Sequence, residues 1–395
     1  MPKGFSFGLI GAMWVIFLTK LRGLTLAQAS LVDVMFFVAA AFGEVPTGIV
    51  ADRFGRKTSL IAGAALLSVG ILGWTFAPVL PLIMLSYFGM GVGFTFLSGA
   101  DDALLYESMQ LAGRAHEYTW LVGRAGAAFQ GALALGSVAS GVLASISLIL
   151  PMLVSALGLI MMLGVVLTFK EPQMEESTTG QVRASFRSIL RQSFALMRAR
   201  PRLLYPMLYL ALVPIAGFIT ETLFLQPQAL SLGVPLAGIG LLVMAVQLTN
   251  MMGSNWSDWF KSRFGEGRLV LTVPLLIFVS LMLLAAFREL PILIFIAVIG
   301  FFTAVMHPML LNRIQNEVSD DVRATIISMN SLMTTVIAAL SQPTLGWIAD
   351  QSGFPAAYVG LAGALGILIL FLFWKGHRHL LGAQVGKTDQ LEVKA

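Results

Sequence analysis

The sequence predicts an all-α membrane protein with twelve transmembrane helices in two bundles of six. Three observations predict it. Hydrophobic residues make up 57% of the chain and charged residues 11%, against roughly 45–50% and about 25% in an ordinary soluble domain. Apolar runs long enough to cross a bilayer recur from end to end, and a single long basic stretch divides them into two sets of six. A backbone in hydrocarbon must satisfy its own hydrogen bonds, so runs of this length are helices and not open strands.

A crossing needs about 20 mostly apolar residues, because the hydrocarbon is roughly 30 Å thick and a helix rises about 1.5 Å per residue. That rule selects 4–19, 31–51, 59–77, 81–100, 118–143, 147–169, 203–225, 235–257, 268–287, 290–311, 325–348 and 355–374. The first run follows Lys3 but no small-residue cleavage site ends it, so it reads as span 1, short at its front, and not as a signal peptide. With the N-terminus placed in the cytoplasm, only Lys20, Arg22 and Arg288 of the 25 Lys and Arg fall outside. That asymmetry predicts an even number of spans with both termini cytoplasmic. Trp74, Trp120, Trp256, Trp259, Trp347 and Trp374 stand near predicted span ends, where an indole bridges apolar and wet layers.

The domain reading follows: residues 1–169 as one six-helix bundle, 170–202 as a cytoplasmic linker, 203–374 as the second bundle and 375–395 as a cytoplasmic tail. Within the linker, Glu175–Gly180 reads as flexible. Phe186, Ile189, Leu190, Phe194 and Met197 recur at helical spacing between arginines, which suits an amphipathic helix on the inner leaflet. A linker whose arginines only enforce topology fits equally. The tail after Trp374 reads as disordered.

Between spans 2 and 3 stands Gly48-Ile-Val-Ala-Asp52-Arg53-Phe-Gly55-Arg56-Lys57-Thr58. Gly48 leaves room for a neighbouring helix, and Gly55 permits a very short turn. Asp52 suits a helix N-terminus, while Arg56 and Lys57 suit head groups or neighbouring acids. The segment resembles the signature loop of the major facilitator superfamily nearly position for position. A weaker echo, Ser257-Asp258 through Lys261, Arg263 and Gly265, lies between spans 8 and 9. A third, Gly346 to Gly353, lacks the basic pair and reads as a helix end only. Gly43-Glu44-Val-Pro46-Thr47-Gly48, Ser98 to Ser108 with Asp101, Asp102 and Glu107, and Asn312-Arg313 with Arg323 to Ser328 resemble bacterial drug/proton antiporters of that family.

The resemblance implies two six-helix bundles working by alternating access in a bacterial inner membrane, as a monomer. It also implies that Asp52 faces the start of span 11 and that Arg56 pairs with Asp101 or Asp102, a gating set completed by Gly48, Arg53, Gly55, Lys57, Asp258 and Arg323. Fixing topology is the competing role for these charges. Two departures bear against antiport. Tyr87 stands where such antiporters carry an Arg in span 4, and Leu135-Gly136-Ser137-Val-Ala-Ser140-Gly141 lacks their span 5 proline, though its small residues still allow close packing.

Ionisable groups within a span are costly, so each is a functional candidate. Glu44 lies eight residues before Asp52, about 12 Å above the inner end of span 2. It is a candidate proton site or cation anchor, or a structural partner of Arg124 in span 5. Glu221, after Pro214 and Gly217, is the second candidate. His307 before Pro308, Asn250, Gln247 and Asn330 serve either the substrate or bonds between helices. Trp14, Phe88, Phe94, Met90 and Met306 suit varied apolar cargo, or ordinary packing.

The sequence contains no phosphate-cradling Gly-x-x-x-x-Gly-Lys-Ser/Thr loop, so ATP-driven pumping is not expected. With no cysteine and only 4 histidines, neither thiolate chemistry nor a metal cluster is expected, and no cofactor is implied. The basic stretches adjoin spans, which favours lipid head groups over nucleic acid. The expectation is a secondary transporter, not an enzyme, coupling protons to export of small amphipathic or cationic compounds. A facilitative or proton-coupled carrier of a polar metabolite is the alternative, and a polytopic lipid-processing enzyme a remote one.

Overall fold

A computed structural model describes residues 2–171, 204–316 and 320–371, and these are helical with short turns and no strand. The linker helix, the flexible Glu175–Gly180 stretch and the disordered tail expected from the sequence lie outside the described residues. Residues cluster into two compact units, Met1–Phe186 with Gly233–Met244, and Arg187–Leu232 with Ala245–Ala395.

In the first unit, α1 (Pro2–Ile16) continues into a π-helical turn, Phe17–Leu21. α2 (Leu26–Phe54) begins in a capping box: the Gln28 amide nitrogen donates to Thr25 Oγ1 at 3.2 Å, and the Thr25 nitrogen to Gln28 Oε1 at 3.1 Å. That arrangement satisfies two of the orphan donors at a helix start. Gly55, at φ +95°, is the whole turn between α2 and α3 (Arg56–Phe76). α4 (Leu80–Leu97) stops at Ser98 and Gly99 (φ +78°), and α5 (Ala100–Leu111) re-forms beyond. The sequence placed a single span there. α6 (Tyr118–Ile146) and α7 (Leu150–Leu167) complete the set.

Small residues let these helices touch backbone to backbone. A methyl at Gly8 would lie 2.1 Å from the Leu133 carbonyl oxygen, and one at Gly136 would lie 2.2 Å from that of Phe5. Where backbones come that close, hydroxyls tie them: Ser140 donates to the Leu9 carbonyl at 2.7 Å, and Ser6 and Ser155 donate to each other's carbonyls at 3.1 Å. The small-residue run 135–141 therefore acts as packing surface, in the manner of helices in lipid. Gly141 and Gly240 extend it, admitting the residues 233–244 that belong to this unit.

The second unit repeats the plan. α8 (Leu204–Ile219) also runs into a π turn, Thr220–Phe224, before α9 (Leu225–Ser231). α10 (Leu236–Asn255) and α11 (Ser257–Phe264) lead to Gly265 at φ +77°, which opens α12 (Glu266–Ala286) as Gly55 opens α3. The weaker echo of the signature loop is thus a repeat in backbone geometry as well as in sequence. α13 spans Ile294–Asn316. α14, Asp320–Phe371, has 52 residues, about 78 Å if straight, far beyond one bilayer. It breaks at Gly353, at φ +82°, just before Pro355. That gives spans 11 and 12, with the third echo as a helix end.

Candidate functional site

At the α2–α3 turn the signature residues assemble, but not in the pairs the resemblance implied. Arg56 Nη1 donates to Asp52 Oδ1 at 2.7 Å, and Arg56 Nε to Glu107 Oε1 at 3.5 Å. Asp101 instead takes Lys3 Nζ at 3.4 Å and the Asp102 backbone nitrogen at 3.0 Å. The pairing of Arg56 with Asp101 or Asp102 is therefore corrected. Asp52 is already one helical turn away from Arg56, and Glu107 presents itself two turns into α5, past the first-turn acids.

The sequence missed the strongest contact here. Glu171, two residues past the predicted end of span 6, accepts from the Arg56 nitrogen at 2.5 Å and the Lys57 nitrogen at 2.7 Å. Those are orphan donors of the first turn of α3, where a carboxylate also opposes the helix dipole. A cap of this kind is worth about 0.5–2 kcal/mol, while half-exposed pairs such as Arg56–Asp52 give about 0.2–1 kcal/mol. Gly55 makes room, since a methyl there would sit 2.7 Å from Glu171 Oε1. Arg53 is exposed with its guanidinium over the Phe54 ring at 5.5 Å, and Gly48 is half-buried within α2.

In the second unit Glu266 occupies the equivalent place, meeting Arg313 Nη1 at 3.0 Å and Lys261 Nζ at 3.2 Å. Asp258, the residue carried over from the motif, makes no ion pair among the described residues. The side chain of Arg323 lies outside the described residues.

Of the acids within spans, Glu44 is exposed, and its carboxylate forms no hydrogen bond or ion pair among the described residues. Arg124 lies over the Trp120 ring at 4.7 Å, so the two are not partners. Glu221 is held. It sits half-buried on the π turn after α8, and its Oε2 accepts from Asn250 Nδ2 of α10 at 2.8 Å. The turn follows from Pro214, Gly217 and a Thr220 hydroxyl that donates back to the Ala216 carbonyl at 2.8 Å; π turns collect at functional sites. Asn250 Oδ1 is buried without a partner among the described residues. It rests against α13 where Gly300 has no side chain: a methyl there would come within 2.2 Å of it. α8, α10 and α13 thus converge on one carboxylate and one amide.

The remaining candidates scatter. Trp14 is buried in the core of the first unit. His307 is exposed on α13. Asn330 has its Oδ1 buried without a partner among the described residues, as do both polar atoms of Gln342. Tyr87 is buried and donates to Asp33 Oδ1 at 3.4 Å. Asp33, inside predicted span 31–51, satisfies the same rule that selected Glu44 and was passed over. At the turn before α6, outside the apolar core of the spans, Arg114 forks onto Glu117 at 2.9 and 2.6 Å, and that carboxylate holds the guanidinium above its ordinary pKa.

Comparison with known proteins agrees with this architecture. The family model of the Major Facilitator Superfamily matches residues 3–287 and 222–390. An uncharacterized MFS-type transporter of Bacillus subtilis (strain 168), YxaM, is 24% identical over 393 residues, 93% of this chain and 92% of that one. The nucleoside transporter NupG superposes with a TM-score of 0.74 at 16% identity, covering 94% of this chain and 96% of its own. A D-xylose–proton symporter superposes with a TM-score of 0.68 at 14% identity, covering 95% of each chain. With the family model covering both halves and the paired turns and small-residue contacts in place, the chain is a multi-pass membrane protein that belongs to the transporters of the major facilitator superfamily.

Proposed function

We infer that the chain is a proton-coupled secondary transporter of small organic solutes, working by alternating access, with Glu221 as the coupling group. The observation that carries this is the Glu221–Asn250 pair. A carboxylate in a span costs about 2.5–3.5 kcal/mol near mid-membrane on insertion scales, so it persists there for a reason. The Asn250 amide stabilises the ionised form by donating. Its buried, unpartnered Oδ1 is the acceptor that a protonated carboxyl needs, reached by turning the amide over. One residue can therefore serve both protonation states.

In this reading Asp52, Arg56, Glu107 and Glu171 form a latch on the cytoplasmic side, weak enough to open each cycle. The protein acts as a monomer in a bacterial inner membrane with both termini cytoplasmic, and the cargo is an amphipathic or cationic compound moved outward. A second reading, a carrier of a polar metabolite, is favoured by the buried amide of Gln342, whose two polar atoms have no partner among the described residues. It is also in keeping with the nucleoside and D-xylose carriers among its fold neighbours.

One assay separates the two. Proteoliposomes under a pH gradient are offered ethidium, uridine and D-xylose, with and without a proton uncoupler. The proposal predicts uncoupler-sensitive movement of at least one, lost in Glu221→Gln. Movement indifferent to both the uncoupler and the substitution removes proton coupling.

A further inference from the structure

The first unit carries an aromatic column that no transport step above uses. Lys3 Nζ lies 5.5 Å from the Phe94 ring centre. From there ring centres follow at 5.5 Å to Phe36, 5.9 Å to Tyr87, 5.8 Å to Trp74 and 4.9 Å to Phe17. Arg22 closes the far end, its guanidinium 5.5 Å from Phe17. Lys3 and Arg22 bracket span 1, roughly 28 Å apart by helical rise, so the column runs the depth of the bilayer. The close approach of α2 to α4 builds its middle: a methyl at Gly91 would sit 2.6 Å from Ala39 Cβ and 2.9 Å from the Phe36 carbonyl oxygen.

Asp33 stands at that middle, one helical turn before Phe36 on α2, with Tyr87 donating to its Oδ1 at 3.4 Å. Through that hydrogen bond Tyr87 orients the carboxylate. Asp33, Phe36 and Phe94 are half-exposed, while Trp74 behind them is fully buried with its Nε1 unpartnered among the described residues. A carboxylate bonded to Tyr87, whose ring lies 5.9 Å from that of half-exposed Phe36, offers an organic cation both charge and ring quadrupoles.

We propose that Asp33, Phe36 and Tyr87 form a binding site for an organic ammonium or related delocalised cation in the first unit, separate from Glu221. The site rests on the reading that the chain moves small organic solutes, and it names a class of cargo for it. Glu221 serves coupling and Asp33 recognition.

Ethidium is the probe, with binding to the purified full chain in lipid nanodiscs read by fluorescence anisotropy. Wild type binds. Asp33→Asn, which keeps shape and removes charge, weakens binding at least tenfold, about 1.4 kcal/mol. Phe36→Leu weakens it severalfold, Tyr87→Phe less, and the exposed Glu289→Gln not at all. Uridine, which is uncharged, does not compete. A melting curve checks that each variant is folded, and if Asp33→Asn is not, the Phe36→Leu and Tyr87→Phe pair decides. Equal affinity of Asp33→Asn and wild type, or of that pair and wild type, overturns the site. So does a wild type that transports uridine or D-xylose but does not bind ethidium, an outcome that leaves the carrier function standing.

Discussion

The two units share a backbone plan and differ in what fills it. Both turn at a single positive-φ glycine, Gly55 or Gly265, and both carry a π turn, Phe17–Leu21 or Thr220–Phe224. In the first unit the interior contacts are rings, and its membrane acid is held by a phenol, Asp33 by Tyr87. The second unit also packs rings inside, Phe224 against Phe354 and Tyr358, but amides hold its polar groups: Asn250 holds Glu221, Tyr358 donates to Gln228, and Gln342 is buried. The difference shows that repeated topology constrains backbone turns and close helix contacts, while each half remains free to specialise. A ring wall is rigid and suits recognition. An amide can donate or accept, and suits a group whose protonation changes.

The comparison breaks most sharply at the shared packing. Gly136→Val drives a branched side chain into the Phe5 carbonyl, and overpacking of that kind costs about 1–3 kcal/mol or more. The expected outcome is little folded protein by size exclusion and a much lower melting temperature. The next test sharpens the amide side. Tyr358→Phe leaves the buried Gln228 Oε1 without its donor, worth about 1–3 kcal/mol, and melting should fall while transport per folded molecule is kept. Glu171→Ala removes the α3 cap, for about 0.5–2 kcal/mol. Arg56→Ala costs less, about 0.2–1 kcal/mol. If Arg56→Ala lowered melting more than Glu171→Ala, the ranking of cap over ion pair would be wrong. Smallest in stability and most selective is Gly300→Ala. The added methyl meets the Asn250 amide first, so melting should fall little while proton coupling falls severalfold.

The spans were legible because lipid imposes one pattern, long apolar runs closed by Lys, Arg and Trp. Gly55 and Gly353 were legible as breaks because few other residues tolerate positive φ. The ion pairs were not. Whether Arg56 meets Glu107 or Asp101 depends on helix rotation beyond the Ser98–Gly99 break, which hydropathy does not encode. Glu171 sits in a polar stretch where one acid resembles the next. Tyr358 and Gln228 carry no charge at neutral pH, so a rule that selects charged groups does not reach them. Asp33 was within reach of the rule that found Glu44. Glu44 itself marks the rule's weakness: charge in a span locates a candidate, and only packing shows which has a partner.

Proton flux in proteoliposomes, recorded with a lumenal pH indicator as cargo from the ethidium, uridine and D-xylose panel is added, tests the central claim most directly. The account predicts a cargo-dependent pH change in wild type that vanishes in Glu221→Gln and is strongly reduced in Asn250→Leu, with both variants folded. A Glu221→Gln protein that moves protons with cargo as wild type does would contradict it.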